Sequence, residues 1–300
     1  VSQDKAQDKP YGGNAPKKAI TAPGITAMKG SDRKIACLTA YDYATGITAD
    51  ESGADLILVG DSLAMVVLGH EDTLSVTMDE MIHHTRAASR GVSQALLVAD
   101  MPFMSYHLSV EQAVANAGRL VQEGRAKAVK LEGGGTVVEK IRAIVDAGIP
   151  VMGHLGLTPQ HVNRFGGFKM QGKNAADVQQ LLDDAMALEE AGAFSLVLEA
   201  MPVEAAELVT EHVGIPTIGI GAGNVTDGQI LVWHDVLGMF DRFTPRFVRT
   251  YAELGKDATA ALTRYCEDVR YHRFPAEKHT SHMAEEETGA MKKIKIRKRK

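Results

Sequence analysis

Between residues 26 and 280 the chain alternates two patterns. Short aliphatic or β-branched runs recur at 35–39, 55–59, 95–99, 128–131, 151–153, 195–198, 217–220 and 230–233, each followed by a polar residue or glycine. Runs of that length and composition read as strands buried on both faces. Segments with apolar positions at helical spacing lie between most of them. Two of these carry start signals, Thr77 with Glu80 and Ser109 with Gln112. In that arrangement a hydroxyl caps the helix and the third helical residue reaches back. Two carry stop signals: a helix over 175–191 runs into Gly192, and one over 139–147 into Gly148. Strands alternating with helices imply a parallel sheet built from βαβ units.

The spacing narrows the fold. The five steps from the strand end at Val59 to the one at Ile220 average about 32 residues, and a (β/α)8 barrel of about 250 residues needs about 31 per unit. The expected class is therefore α/β, a (β/α)8 TIM barrel in a single domain over 26–280. A doubly wound open sheet is the alternative. Residues 1–25 read as a polar N-terminal arm. Residues 281–300 read as a disordered charged tail that ends in the basic run from Lys292 to Lys300.

The chemistry gathers at the strand ends. Successive runs deliver Asp61, Asp100, Glu132, His154 and Glu199. In an open sheet the outer two would stand nearly ~20 Å apart, at about 4.8 Å per strand. Closure into a barrel turns all five toward one mouth, where barrel active sites lie. Taken singly, each has a plainer reading. An Asp after a strand often caps the next helix, Lys130 could be a snorkelling strand residue, and a lone His is usually a hydrogen-bonded structural residue. Taken together they read as a site. Four carboxylates in one mouth repel one another and call for positive charge. Oxygen donors without cysteine suggest Mg2+. Lys130 lies two residues before Glu132, so the two side chains share one face of the strand. If that face is inward, a second positive charge joins the metal, and the pair suits an oxyanion such as a carboxylate or enolate. The glycine-rich stretch 219–224 lacks the Lys-Ser/Thr pair of a P-loop and reads as a tight turn that lets a substrate approach. His83 and His84, adjacent on a helix, cannot present one shared face to a metal.

Composition trims the remaining possibilities. The 300 residues are 45% hydrophobic and 24% charged, which excludes wholesale disorder. The net charge of −5 argues against nucleic acid as a partner. No apolar run reaches the roughly 20 residues of a membrane span, and no secretory segment is evident. The two cysteines, Cys37 and Cys266, read as reduced thiols. A soluble cytoplasmic protein acting on small molecules is expected.

Longer strings are more specific. LTAYDY (38–43), LVGDSLAM (58–65), VTMDEM (76–81), VADMPFMSY (98–106), VKLEGG (129–134), GHLGLTPQHVNRFGGFKMQG (153–172), VLEAMP (197–202) and IGIGAGNVTDGQILVWHD (218–235) resemble the ketopantoate hydroxymethyltransferase family over residues 26 to about 280. The resemblance implies a (β/α)8 barrel assembled as a homo-oligomer, typically a homodecamer. It implies one-carbon transfer from 5,10-methylenetetrahydrofolate to 3-methyl-2-oxobutanoate, giving 2-dehydropantoate for pantothenate and coenzyme A synthesis. It further implies that Asp61 and Asp100 ligate Mg2+, with Glu132 as the third acidic member of that shell. In the same reading Asp61, Ser62, Asp100, Lys130 and His154 contact the substrate, and Glu199 is the base that removes the C3 proton. Ala64, the Glu71-Asp72 pair and Arg125-Ala126-Lys127 depart from the family's usual pattern. A competing enzyme reading is a Mg2+-dependent 2-oxo acid carbon–carbon lyase of the phosphoenolpyruvate mutase and isocitrate lyase type, although neither cysteine lies in the catalytic loop such enzymes carry. A non-enzyme reading makes the barrel a scaffold that binds RNA through its basic tail.

Overall fold

In a computed structural model, residues 19–240 and 243–294 are described. Eight parallel strands run β1 Ile35–Thr39, β2 Leu56–Val59, β3 Leu96–Asp100, β4 Ala128–Glu132, β5 Val151–Gly156, β6 Ser195–Glu199, β7 Thr217–Ile220 and β8 Gly228–Leu231. Each pairs with the next, and β8 pairs back onto β1, so the sheet closes into a barrel. The open-sheet alternative is excluded. Four boundaries differ from the sequence expectation in an informative way. β3, β4 and β6 each run one residue further and take in Asp100, Glu132 and Glu199, while β5 extends to Gly156. Carboxylates are poor strand formers by propensity, and here the ladder overrides propensity. β8 begins at Gly228 and stops at Leu231, because Trp233 already opens the short helix Trp233–Val236.

Period-two alternation sorts each strand into two cores. Leu56, Leu58, Leu96, Val98, Ala128, Met152, Val197, Ile218 and Ile230 fill the barrel interior. Ile57, Val59, Leu97, Val129, Leu131, Leu155, Leu196 and Leu198 face outward under the helices. Fully burying one such side chain contributes roughly 1.5–3 kcal/mol. The helix Ala22–Thr26 closes the lower end. Thr21 caps it, and Ala22 and Ile25 pack into the interior core. Part of the segment expected to be an arm thus belongs to the barrel; residues 1–18 of that arm lie outside the described residues.

The helix starts follow local chemistry. Thr77 and Glu80 form the expected capping box, with the Thr77 hydroxyl accepting from the Glu80 N–H and the Glu80 carboxylate accepting from the Thr77 N–H. Ser109 caps its helix, but the Gln112 side chain turns to Leu108 and Met104 and closes no box. The helix Ala175–Glu190 stops before Gly192, whose φ is +97°, and Val138–Asp146 stops before Gly148 at +85°. Positive φ at both places favours glycine.

The chain divides into two compact units, Val1–Ala252 and Glu253–Lys300. The second holds the helices Leu254–Arg270 and Glu285–Met291. The barrel unit therefore closes well before residue 280, and the segment expected to be a disordered tail carries a short helix. Residues 295–300 of the basic run lie outside the described residues.

Candidate active site

The interior parity of the strands decides where the ionisable groups point. Asp100 continues the inward series Leu96, Val98; Lys130 and Glu132 continue from Ala128; His154 follows Met152; Glu199 follows Val197. The pairing register sets Asp100 beside Lys130 and Glu132 beside His154 on adjacent strands. Lys130 therefore faces inward. Asp61 arrives from the turn after β2. A Cβ at Gly60 would stand 2.8 Å from Ser62 Oγ and 3.5 Å from Asp100 Oδ2, so glycine lets this turn close against β3. The Asp61 N–H then donates to Asp100 Oδ2 at 2.9 Å.

The result is one contiguous cluster. Lys130 Nζ lies 3.0 Å from Asp100 Oδ1, 3.6 Å from Glu132 Oε1 and 3.1 Å from His154 Nδ1. His154 sets Nδ1 3.3 Å from Glu132 and Nε2 3.2 Å from Glu199. Asp61, Asp100, Lys130, Glu132 and His154 are buried, while the Glu199 side chain keeps 17% of its surface exposed. Ser62 stands at the edge, with Oγ 2.8 Å from the Tyr41 hydroxyl. All seven expected residues line one cavity of about 390 Å3.

The charges follow from these distances. Burial, then Glu132 and Asp100, hold the Asp61 carboxyl well above the ordinary carboxylate range. Burial also raises Asp100, reinforced by Glu132 and opposed by Lys130. Burial would raise Glu132 too, but Lys130 and His154 outweigh it and hold it down at about 2. For His154, burial and Lys130 favour the neutral ring, yet Glu132 and Glu199 prevail and raise it to about 9. Burial works against the Lys130 ammonium, but the carboxylates of Asp100, Glu132 and Asp61 outweigh it and raise its pKa.

Sequence reasoning missed Gln160. Its side-chain amide donates to Asp61 Oδ2 at 2.9 Å and to the Met101 carbonyl at 3.0 Å, and its backbone N–H donates to Glu132 Oε2 at 3.0 Å. The buried Tyr106 hydroxyl donates to Gln160 Oε1 at 2.6 Å. Both residues lie inside motif strings, but nothing local to either marks a bridging role. Asp235 and an apolar wall including Phe168, Phe240 and Phe247 also line the cavity and went unassigned. The glycine-rich turn has a different use from the one expected. Gly221 has φ +63°, and a Cβ there would meet the Phe247 ring at 2.6 Å, so the close approach is made by a side chain of the wall. His84 Nδ1 lies 2.7 Å from the Tyr41 carbonyl, separately from His83.

Whether these groups suit a divalent cation can be read from their free lone pairs. Among the described residues no three His, Cys, Asp or Glu groups are arranged to hold a metal ion by themselves. Both Glu132 oxygens are engaged, Oε1 by Lys130 and His154 and Oε2 by the Gln160 N–H. Asp100 Oδ1 is ion-paired with Lys130 at 3.0 Å and keeps a lone pair, and only one Asp61 oxygen accepts, from Gln160. Two carboxylate oxygens completed by water and substrate oxygens are a donor set typical of Mg2+. The residues fit that ion.

A closed parallel barrel with buried acids, a lysine and a histidine converging at the C-terminal ends of its strands has the form of a (β/α)8-barrel enzyme. The family pattern described as ketopantoate hydroxymethyltransferase matches residues 19–277. The 3-methyl-2-oxobutanoate hydroxymethyltransferase of Oleidesulfovibrio alaskensis is 58% identical over 274 residues, covering 91% of this chain and 94% of the relative. That of Moorella thermoacetica is 55% identical, covering 89% and 99%. The chain belongs to the ketopantoate hydroxymethyltransferase family. Among solved structures, 2,3-dimethylmalate lyase superposes with a TM-score of 0.55 at 18% identity over 90% of this chain and 97% of its own. Phosphonopyruvate hydrolase with oxalate and Mg2+ gives 0.55 at 14%, over 91% and 96%. At such identities these share the fold alone, and the lyase reading goes no further than that.

Proposed function

We propose that the chain transfers a one-carbon unit from 5,10-methylenetetrahydrofolate to 3-methyl-2-oxobutanoate, forming 2-dehydropantoate for pantothenate synthesis. Mg2+ held by Asp61 and Asp100, with Glu132 behind them through water, would polarise the 2-oxo acid. Lys130 and His154 present N–H groups to the oxygen that gains charge when C3 is deprotonated, in a buried site where such donors act strongly. Ser62 helps seat the acceptor. Glu199 takes the C3 proton. Water cleaves the two C–N bonds of the donor's one-carbon unit, its hydrogens passing to the two nitrogens of the departing tetrahydrofolate; the carbanion adds to the freed carbonyl carbon, and the proton held by Glu199 goes to the new hydroxyl oxygen.

The observation that carries this reading is the placement of Glu199. It contacts the cluster through His154 alone among the described residues, at 3.2 Å, and is the most exposed acid of that cluster. A base must be free of the metal and able to reach carbon. The test is deuterium exchange at C3 of 3-methyl-2-oxobutanoate without folate. Exchange is expected with Mg2+ and should fall at least ~100-fold in Glu199→Gln. Full-rate exchange in that variant removes Glu199 from the role.

The remaining parts of the proposal are a homodecamer and a cytoplasmic location. No helix among the described residues is long and apolar enough to cross a membrane. Leu262, Tyr265 and Val269 stand exposed on the helix Leu254–Arg270 and suit contacts between subunits. Sedimentation of the full chain decides the oligomer.

A further inference from the structure

The chemistry proposed above uses side chains borne on β2 to β6 and leaves one carboxylate in the same cavity without a task. Asp235, just after β8, lines the cavity and is half-buried. Its side chain makes no hydrogen bond or ion pair among the described residues, and its backbone N–H goes to the Val232 carbonyl at 3.0 Å. The segment that carries it is fixed. The Trp233 N–H donates to Thr39 Oγ1 at 2.9 Å, the indole N–H reaches Thr48 Oγ1 at 3.2 Å, and the His234 ring packs 5.4 Å from that of Tyr41.

We propose that Asp235 reads the folate donor, its two oxygens accepting from the ring N–H and the 2-amino group on one edge of the tetrahydropterin. The inference rests on the one-carbon reading and deepens it. Three observations carry it. The acceptor is an anion, so a carboxylate with no cation paired to it among the described residues repels that substrate and cannot be there to hold it. The uncharged pterin edge offers two parallel N–H donors, the geometry that a carboxylate accepts bidentately. The cavity that Asp235 lines also carries the apolar side chains of Phe168, Phe240 and Phe247, which suit a flat fused ring. Burial alone lifts Asp235 to about 6, so its charge is poorly solvated in the free protein and gains from a ligand that hydrogen-bonds it. The position also suits it. β8 neighbours β1, and Tyr41 after β1 touches Ser62 beside Asp61, so a donor held at Asp235 borders the acceptor site from the β8 side.

The test is calorimetric titration of the full chain with tetrahydrofolate in the presence of Mg2+, together with steady-state kinetics. Asp235→Asn should weaken tetrahydrofolate binding at least ten-fold. The KM for 5,10-methylenetetrahydrofolate should rise by a similar factor and that for 3-methyl-2-oxobutanoate by less than two-fold. On the unaltered chain, a tetrahydrofolate analogue with methyl in place of the 2-amino group should show the same loss, a readout that holds even if the variant folds poorly. Equal tetrahydrofolate affinity in chain and variant, or equal affinity for the methyl analogue, overturns the assignment. If the unaltered chain makes product from the folate donor while those results fail, only Asp235 is misassigned. If it neither binds tetrahydrofolate nor makes product, the one-carbon reading itself has failed and the inference falls with it.

Discussion

Replacing Lys130 by Met removes a buried ammonium and keeps most of the side-chain volume. In the folded protein that ammonium is 3.0 Å from Asp100 and 3.6 Å from Glu132, with Asp61 close enough to add to its field. At 3.0 Å and an effective dielectric of about 20, the Asp100 contact alone is worth roughly 5–6 kcal/mol before desolvation is subtracted. Removing one partner of a buried pair costs about 3–5 kcal/mol, because the other charge stays buried and uncompensated. For a unit of this size that corresponds to a fall in Tm of roughly 6–20 °C. The sign with pH follows from the linkage. The folded-state pKa of Lys130 is raised, so its stabilisation is fully present below the unfolded value and is lost only as pH rises through the folded one. The wild-type contribution is thus complete across neutral pH. In the variant the carboxylates lose their cation and their pKa values rise, so the deficit should shrink as pH falls from near 7 toward 5 and they protonate. Mg2+ should stabilise the variant more than the wild type, since it meets a more anionic site. At about one hundred times its dissociation constant a ligand adds ~2.7 kcal/mol, and the variant should exceed that increment. The measurement is thermal and urea unfolding of both proteins near pH 5 and pH 7, with Mg2+ and with chelator. A variant as stable as wild type near pH 7 in chelator, or equal Mg2+ increments in both, would refute the reasoning.

Three further outcomes are expected. Gln160→Ala should lower Mg2+ affinity about 10–100-fold, because it frees Asp61 and unseats the Tyr106 hydroxyl without removing a charge; metal titration followed by calorimetry reads this, and unchanged affinity counts against the bridge. Asp50 accepts from the Ser93, Gln94 and Ala95 N–H groups and from the Ser93 hydroxyl at 2.8–3.0 Å. Burial would raise its pKa, but these hydrogen bonds outweigh burial and lower it. Its stabilisation is therefore present above the unfolded value and lost as pH falls through the folded one. Asp50→Asn should cost about 1–3 kcal/mol near pH 7, and the gap should close in acid; a urea midpoint difference that persists at pH 3 contradicts this. Arg125 is exposed with φ +66°, in the turn before β4. Arg125→Gly should stabilise the chain by roughly 1 kcal/mol by relieving left-handed strain, and no gain in Tm would show that the turn is not strained.

Much of the barrel is legible in the chain because it rests on short-range rules. Period-two apolar runs, the Thr77 capping hydroxyl and the stops at Gly148 and Gly192 depend on residues within a few positions of one another. The same parity turned Lys130 and Glu132 to one side before any contact was known. Other features join residues far apart, and no local pattern contains them. Gln160 bonds to Asp61 across ninety-nine positions, and the wall of Phe168, Phe240 and Phe247 comes from separate loops. How both Glu132 oxygens are engaged, where the barrel unit ends, and that Asp235 stands unpaired among the described residues depend on the register at which eight strands close. Closure is a cooperative property of the whole sheet: shifting one strand by a residue would turn its entire inward set outward. The sequence determined which groups could meet at the barrel's mouth, and the tertiary structure decided which of them touch.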